Sequence, residues 1–272
     1  MNNTVLRFPG GKPKALTFSY DDGVREDVRL IDIFKKYGLY GTFNVNSGTF
    51  QNGGNRLSAE EVKALYRPAG QELACHSLTH PFLERMPDDR VLFEVMEDRK
   101  NLEALTGEII RGMAYPYGTY NARTEEVLKA AGIKYCRTVI STNDFRLPTD
   151  WLALTATCHH NGEKLFELAD KFINETPYDR DDGWLFYVWG HSYEFPQQDN
   201  WDRIEKFAEQ VAGKEDVWYA TNMQIYEYIT AYRALEFSMD GKLAYNPTAI
   251  DVWCAVSDKL YCVPAGKTAA II

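Results

Sequence analysis

The feature that most constrains the fold is a regular alternation of short apolar runs with segments of helical periodicity. The apolar runs are predicted as mostly buried strands at Ala15–Phe18, Thr42–Val45, Glu72–Cys75, Gly112–Tyr115, Tyr135–Ile140, Leu152–Ala156, Trp184–Trp189 and Val217–Ala220. Helical segments with recognisable caps lie between many of them, among them a capping box at Ser58-Ala59-Glu60-Glu61, a helix from Asp88 to Gly107, and helices at 121–131, 163–175, 200–212 and 222–236. Strand followed by helix is typical of a parallel α/β sheet, and at 272 residues a closed or nearly closed barrel is the expected architecture.

The last 36 residues break this alternation. A turn at Asp240-Gly241, a break at Asn246-Pro247 and the runs Ile250–Val256 and Leu260–Val263 predict a small β appendage. The chain is therefore predicted as an α/β protein in two parts: a distorted barrel of about seven parallel strands over residues 1–236, and a β-hairpin extension packed on it over residues 237–272.

Charge and hydropathy exclude several classes of partner. The 30 Lys and Arg residues against 39 Asp and Glu residues give a net charge of −9, which disfavours sequence-independent binding of nucleic acid. No window approaches the ~18 apolar residues of a membrane span, and the amino terminus lacks the apolar segment of a signal peptide, so a cytoplasmic location without membrane contact is predicted. The five cysteines are scattered and predicted as reduced thiols, with a Cys254–Cys262 pair on a hairpin as the alternative.

Two carboxylates and a glycine follow the first predicted strand directly, in the segment Thr17–Gly23. Parallel α/β sheets bind ligands on the loops at the carboxyl ends of their strands. Of the adjacent residues Asp21 and Asp22, one could therefore bind a metal while the other handles a proton. The alternative is a solvated turn, which is the interpretation we give to the same tripeptide at Asp181-Asp182-Gly183, because there it precedes a strand.

His76 and His80 follow the strand Glu72–Cys75 at a spacing of four. Two imidazoles at i and i+4 on a helical turn face one way and can reach one cation, as in zinc proteases. The protease pattern has a glutamate base between its histidines, whereas Ser, Leu and Thr stand here. The base must come from elsewhere, and Asp21 or Asp22 is the obvious source. The alternative is a pair of exposed loop histidines.

Two later strand ends carry weaker signals. In Met113–Gly118, proline and glycine fix a turn from which the Tyr117 N–H could face a developing oxyanion, with aromatic faces available to a sugar; packed aromatics are the alternative. In Val188–Glu194, Trp189 supplies an aromatic wall and Glu194 could orient or charge the His191 ring; a structural histidine is the alternative.

Cys158-His159-His160 also follows a strand. Neighbouring histidines usually diverge, so a structural or substrate-contact role is favoured there over metal ligation.

The four segments, in this order, resemble the polysaccharide deacetylase family, the NodB-homology group or carbohydrate esterase family 4. Thr17–Gly23 is similar to the family's T-F-D-D-G motif, and His76–His80 fits its H-[ST]-x-x-H metal motif residue for residue. Ala114–Gly118 is similar to the third motif and Trp189-Gly190-His191 to the fifth, which holds the catalytic histidine. The resemblance covers roughly residues 14–230.

The resemblance implies a distorted (β/α) barrel with a divalent metal, most commonly zinc, with cobalt, nickel or manganese as alternatives. It implies these roles: metal ligands Asp22, His76 and His80, general base Asp21 and general acid His191. Beside them, the Tyr117 N–H is the predicted oxyanion donor, and the predicted sugar contacts are Tyr115, Trp151 and Trp189. Metal-bound water would attack an N-acetyl amide of a saccharide and release acetate and a free amine.

Two departures from the family's pattern matter. Ala114 stands where the third motif usually has an arginine that braces the catalytic aspartate, and Arg111 lies three residues upstream. Either another cation braces Asp21 or its pKa is tuned otherwise. The fourth motif, an Asp-Trp element that orients the histidine, is matched only by the dipeptide Asp150-Trp151, and Glu194 is the other candidate for that orienting role.

Three functions remain open at this point. The first is N-deacetylation of an oligo- or polysaccharide, the second is hydrolysis of a non-sugar amide or cyclic amide at the same metal site, and the third is sugar binding without turnover. The expected partners are an N-acetylated sugar or related small amide and, in a homo-oligomer, further copies of the chain. A cytoplasmic location favours an intracellular sugar, an oligomer fragment or a small amide over insoluble polymers.

Overall fold

The computed structural model describes residues 4–272, and residues 1–3, where the predicted barrel part begins, lie outside the described residues. The strands are β1 (Thr4–Arg7), β2 (Lys14–Asp21), β3 (Gly41–Val45), β4 (Glu72–Cys75), β5 (Gly112–Ala114), β6 (Tyr135–Ser141), β7 (Leu154–Ala156), β8 (Cys158–His159), β9 (Trp184–Gly190), β10 (Val217–Tyr219), β11 (Glu236–Phe237), β12 (Leu243–Tyr245), β13 (Val252–Val256), β14 (Lys259–Val263) and β15 (Thr268–Ala270). The helices are α1 (Asp27–Tyr37), α2 (Ala59–Leu65), α3 (Asp88–Thr106), α4 (Ala122–Ala130), α5 (Leu165–Asn174), α6 (Glu194–Gln197), α7 (Trp201–Val211) and α8 (Asn222–Arg233).

The predicted elements are confirmed, with seven additions among the helices and strands given above. Ser58 forms its capping box with Glu61 at the start of α2, and Gly107 ends α3 at a φ of +71°, a conformation that glycine adopts without a Cβ penalty. The elements that the sequence analysis missed are β1, α1, β8, α6, β11, β12 and β15. Of these, β8 and β11 have only two residues each, too short for any periodicity to show.

A ring of parallel strands forms the barrel, in the order β7-β6-β5-β4-β3-β2-β9-β8. The ring closes through one stretch of chain, because β7 pairs with β6 while β8, two residues further on, pairs with β9. Counting β7 and β8 as one strand gives a ring of seven parallel strands in the described residues, and β10 pairs alongside the start of β2. The predicted barrel of about seven parallel strands is thereby confirmed.

Side chains of the barrel strands alternate between an apolar exterior and a polar interior. On β2, Leu16, Phe18 and Tyr20 join the core beneath the helices. The intervening Ser19 and Asp21 instead contact Arg137 of β6. Because β2 and β6 are not neighbours in the ring, these contacts cross the barrel interior. The interior is therefore lined by hydrogen-bonding groups, and the carboxyl ends of the strands open onto its mouth.

The C-terminal extension consists of antiparallel strands. The hairpin of β13 and β14 pairs with β1 near the amino terminus, and β11, β12 and β15 form a second small sheet. Tyr228 of α8 ties the hairpin to the barrel part: its hydroxyl donates to the Arg7 carbonyl at 2.8 Å and accepts from the Trp253 N–H at 2.9 Å. The division of the chain at residue 236 stays a prediction, since β1 pairs with strands on the far side of it.

The strand register separates the two cysteines of the hairpin. Cys254 lies opposite Tyr261 and Cys262 lies opposite Trp253, so the two thiols point to different faces of the sheet. All five cysteines fall within the described residues and are free thiols.

Within residues 4–272, no helix is both long and apolar enough to cross a membrane. The cytoplasmic location and the oligomeric state stay predictions.

The aromatic core outside the barrel yields a test of the fold. Phe186 of β9 is fully buried, with its ring centroid 5.2 Å from Phe172 and 5.5 Å from Phe207. We expect Phe186→Ala to lower the free energy of unfolding by about 3–5 kcal/mol. Phe93 on α3 is 49% exposed, so Phe93→Ala should change the free energy of unfolding by less than about 0.5 kcal/mol. Urea titration checks both, and equal losses would contradict the packing described.

Candidate active site

The carboxylate of Asp21 lies at the end of β2 in the mouth of the barrel, almost fully buried. Its Oδ2 forms an ion pair with Arg137 Nη2, and its Oδ1 accepts a hydrogen bond of 2.9 Å from Asn44 Nδ2 on β3. Burial by itself would raise the pKa of Asp21, but the adjacent arginine and two nearby imidazoles lower it to about 2. The carboxylate is therefore ionised at neutral pH.

Arg137 supplies the cation that the sequence analysis left unassigned. Its side chain is fully buried, Nε donates to Ser19 Oγ at 3.1 Å, and the guanidinium carbon lies 4.7 Å from the centroid of the Trp189 ring. The register of β5 and β6 aligns Arg137 with Ala114, the position at which the resembling family places its arginine. The cation beside Asp21 therefore comes from the neighbouring strand.

A signal for Arg137 was present in the sequence. It is a cation inside the predicted strand Tyr135–Ile140, and a buried cation needs a carboxylate partner. Nothing local identifies that partner, because Asp21 is 116 residues away along the chain. Arg111, the upstream alternative, precedes β5 and pairs with Glu227 of α8 at 2.6 Å, so it does not brace Asp21.

Asp22, His76 and His80 form the candidate metal site. Asp22 Oδ1 lies 4.0 Å from His76 Nε2 and 3.8 Å from His80 Nε2, and one ligand atom from each residue lies within 4.8 Å of the others. Asp22 Oδ1 is buried and accepts no hydrogen bond from the described residues, although Arg56 Nη1 is 3.2 Å away. A buried carboxylate oxygen without a donor, facing two imidazoles, suits a divalent first-row cation such as zinc.

Local structure sets the orientation of these ligands. His76 Nδ1 lies 2.9 Å from the Ala114 carbonyl, so Nδ1 carries the proton and Nε2 presents a lone pair towards Asp22. Its backbone N–H donates to the buried Asp98 at 3.0 Å. Asp22 and His80 have left-handed φ values of +86° and +61°, a strain typical of functional sites. Burial lowers the pKa of His80 to about 4, which keeps it neutral as a ligand must be.

His191 follows β9 and lies on the other side of Asp21 from His76. Its Nε2 lies 3.9 Å from Asp21 Oδ2, and its Nδ1 forms a hydrogen bond of 3.2 Å with Glu194 Oε1 at the start of α6. Burial by itself would lower the pKa of His191, but the Glu194 and Asp21 carboxylates raise it above its usual value. Of the two predicted orienting residues, Glu194 is the one in contact with this ring.

His159, His191 and Glu194 form a second group of potential metal ligands at the same mouth. His159 Nδ1 accepts a hydrogen bond of 3.1 Å from the Asn161 N–H, so its Nε2 carries the proton and faces Glu194 Oε2 at 3.2 Å. A protonated nitrogen has no lone pair for a metal. Within this group, the one hydrogen bond among the described residues joins His191 Nδ1 to Glu194 Oε1.

Tyr117 forms the rim of the site beside the candidate metal ligands. It has a left-handed φ of +59°, and its half-exposed ring stacks on Phe82 with centroids 3.8 Å apart. The edge of His80 lies against the same ring at 4.5 Å. The Tyr117 ring is thus next to the ligand cluster, and the role of the Tyr117 N–H as an oxyanion donor stays a prediction.

Four predicted contact or orienting residues lie away from the open cleft. Tyr115 is buried against Tyr120, and Trp189 is almost fully buried under the site. Asp150 accepts hydrogen bonds from the Leu152 and Ala153 N–H groups of its own loop, and Trp151 packs on Tyr226 of α8.

The position of Asp150-Trp151 explains why it does not reach His191. The dipeptide directly precedes β7, so it lies at the amino ends of the parallel strands, opposite the mouth. The expectation that Asp150 orients His191 and that Trp151 contacts substrate is therefore corrected.

Known proteins resemble part of this chain. Residues 9–136 match the family model described as polysaccharide deacetylase. A chitin deacetylase of Arthroderma benhamiae is 30% identical over 142 residues, which are 50% of this chain and 36% of that protein. A chitooligosaccharide deacetylase of Rhizobium leguminosarum bv. phaseoli is 28% identical over 143 residues, 52% of this chain and 58% of that protein. The chain thus spans less than two thirds of either relative.

A solved structure extends the likeness beyond the matched segment. A candidate polysaccharide deacetylase from Mycobacterium smegmatis superimposes with a TM-score of 0.64 over 84% of this chain and 94% of its own, at 19% identity. At that identity the likeness shows a common fold. Residues 9–136 of this chain are therefore similar to the polysaccharide deacetylase family, and the fold over most of the chain is shared with the Mycobacterium smegmatis structure.

Proposed function

We propose that this protein is a metal-dependent hydrolase that removes the acetyl group from an N-acetylated sugar. The position of Asp21 carries the proposal: its Oδ2 lies 3.9 Å from Nε2 of His76 on the metal side and 3.9 Å from Nε2 of His191 on the other. A carboxylate held between a ligand cluster and a histidine can accept a proton on one side of an amide while the histidine donates one on the other.

Asp22, His76 and His80 would hold the cation, with zinc as the proposed metal. When bound there, a divalent cation polarises the carbonyl of the amide and lowers the pKa of water. Arg56 supports this part of the site, because its Nη1 also donates to the backbone carbonyl of Asp22.

Asp21 is the proposed general base. Arg137 and Asn44 occupy its two oxygens from inside the barrel, so the carboxylate cannot rotate away from the mouth. The low pKa of about 2 keeps it ionised, and therefore ready to receive a proton from attacking water. A protein that only bound a sugar would have no use for an ionised carboxylate that is not a metal ligand.

His191 is the proposed general acid, and the Tyr117 N–H the proposed donor to the oxyanion. With Nδ1 occupied by Glu194, His191 Nε2 is the nitrogen that faces Asp21 and the reacting amide. It gives its proton to the departing nitrogen, which leaves as a free amine while acetate forms.

A sugar is the proposed substrate class. The stacked rings of Tyr117 and Phe82 stand beside the ligands, and Val139 and Ile140 expose apolar side chains at the end of β6. Aromatic and apolar surface of this kind suits the C–H faces of a sugar ring. Two relatives are chitin and chitooligosaccharide deacetylases, which supports N-acetylglucosamine oligomers as first substrates to assay.

The central prediction concerns Asp21. We expect Asp21→Asn to lower acetate release from N-acetylglucosamine oligomers by about 10²-fold or more, because general base catalysis is lost. Zinc content should stay at one ion per chain, since the proposed ligands are unchanged. Acetate assays and elemental analysis on the same preparation check both.

Two outcomes of that assay would contradict the proposal. Full activity in the variant would remove Asp21 from the mechanism. No release from any sugar by the zinc-loaded native protein would contradict the substrate class and favour a non-sugar amide or a binding protein.

A second prediction concerns the arginine. Arg137→Ala leaves a buried carboxylate unpaired, so we expect about 3–5 kcal/mol lower stability and about 10²-fold lower kcat. Adding Ala114→Arg to that variant restores a cation on the adjacent strand and should recover part of the lost stability and part of the lost kcat. Urea unfolding and kinetics measure the effects, and an unchanged kcat in Arg137→Ala would contradict its role.

A third prediction separates the two groups of potential metal ligands. His80→Gln removes one proposed ligand and should weaken zinc binding by at least about 10-fold. The matched variant His159→Gln alters a histidine of the same mouth outside the proposed ligand set and should leave zinc affinity unchanged. Competition with a zinc chelator measures the zinc affinity of both variants. A larger loss in His159→Gln than in His80→Gln would contradict the proposed ligand set.

A further inference from the structure

One carboxylate, Glu194, contacts three imidazoles. Its Oε1 lies 3.2 Å from His191 Nδ1, and its Oε2 lies 3.2 Å from His159 Nε2 and 2.9 Å from His160 Nε2. Burial alone would raise the pKa of Glu194, but the three rings lower it, so it is ionised. The contact with His191 Nδ1 is a hydrogen bond, in which the ionised carboxylate accepts and Nδ1 carries the proton. Oε2 and His160 Nε2 lie in close contact without an aligned hydrogen bond.

His160 differs from the other two rings because it is enclosed. It is fully buried, and its ring stacks on Phe195 at 4.3 Å and on Tyr20 at 5.5 Å between centroids. Its backbone N–H donates to the Trp189 carbonyl at 2.8 Å. Burial lowers the pKa of His160 to about 4, so it is a neutral N–H donor rather than a cation.

Gly190 shows how closely this ring is fitted. A Cβ atom at Gly190 would lie 2.1 Å from His160 Nδ1, so the imidazole fills the space that a side chain at that position would need. Gly190 is the residue before His191, and the ring therefore packs directly under the backbone that carries the proposed acid. Neither His160 nor this backbone can shift without the other.

We propose that Glu194 and His160 are positioning residues for His191: His160 fixes Oε2 of Glu194, which leaves Oε1 to hold the Nδ1–H of His191 and directs Nε2 to the amide. The inference rests on the proposed function, in which His191 is the acid. Of the two orienting candidates named from the sequence, Asp150 and Glu194, it selects Glu194 at the start of α6, and it adds His160, the residue directly after β8. During turnover the Nδ1–H stays on Glu194, and only the Nε2 proton moves to the departing amine.

The charged and titratable groups that face His191 come from several elements. Asp21 and Asp22 approach from β2, His159 from β8, and Tyr193 and Glu194 from its own segment. The carboxylates raise the pKa of His191, and Glu194 is the one in direct contact. Replacing Glu194 with glutamine removes that charge but keeps an oxygen acceptor, so the pKa of His191 should fall while the fold persists.

The test compares three variants of the zinc-loaded protein: Glu194→Gln, His160→Phe and, as a matched control, Tyr20→Phe. Phenylalanine at 160 keeps a ring between its aromatic neighbours but removes the N–H donor. Tyr20 contacts the same ring, and its buried hydroxyl has no partner among the described residues. Steady-state kinetics with N-acetylglucosamine oligomers and ¹⁵N NMR of the imidazole nitrogens are recorded across pH.

We expect kcat to fall about 10²-fold in Glu194→Gln and about 10-fold in His160→Phe, with KM within about 2-fold and Tyr20→Phe unchanged. The basic limb of the pH profile and the NMR titration of His191 should both move to lower pH in Glu194→Gln. Unchanged kcat, or an unchanged His191 tautomer and titration in that variant, would overturn the inference. The NMR measurement does not depend on catalytic activity. An inactive native protein would contradict the proposed function, but the His191 titration would still decide whether Glu194 positions the ring.

Discussion

The buried ion pair between Asp21 and Arg137 is the interaction on which the rest of the site depends. Taking both charges out of water is costly, and the cost is offset only when the pair is close and its remaining polar atoms are bonded. Ser19 and Asn44 supply those bonds, and the Trp189 ring covers the guanidinium. The polar barrel interior therefore serves to hold one carboxylate, ionised and immobile, at the mouth.

Around that carboxylate, the two sides of the mouth have different chemistry. The ends of β2 and β4 bring Asp22, His76 and His80 together, with a buried oxygen that has no donor from the described residues. The ends of β8 and β9, with α6, bring three imidazoles around Glu194. The first set suits a cation, and the second suits proton transfer. Both sets lie at the same mouth because all these strands are parallel and their carboxyl ends face one way.

Much of the fold and part of the site could be predicted from the sequence, because strand ends in a parallel barrel share one edge. This rule predicted a site containing Asp21, His76 and His191, and it separates Asp21-Asp22-Gly23 from the same tripeptide at 181–183, where the Asp182 carboxylate accepts from the Leu6 N–H. The same rule, applied to Asp150-Trp151, would have excluded that dipeptide. The pairing of Arg137 with Asp21 could not be predicted, because the two residues are 116 positions apart in the chain.

We propose that Asp22 binds the metal while Asp21 stays free of it, held by Arg137. A crystal structure of the zinc-loaded protein, with zinc located by its anomalous scattering, tests this most directly. We expect zinc in contact with Asp22 Oδ1 and with Nε2 of His76 and His80, and Asp21 still paired with Arg137. Zinc bound by Asp21, or bound among His159, His191 and Glu194, would contradict it.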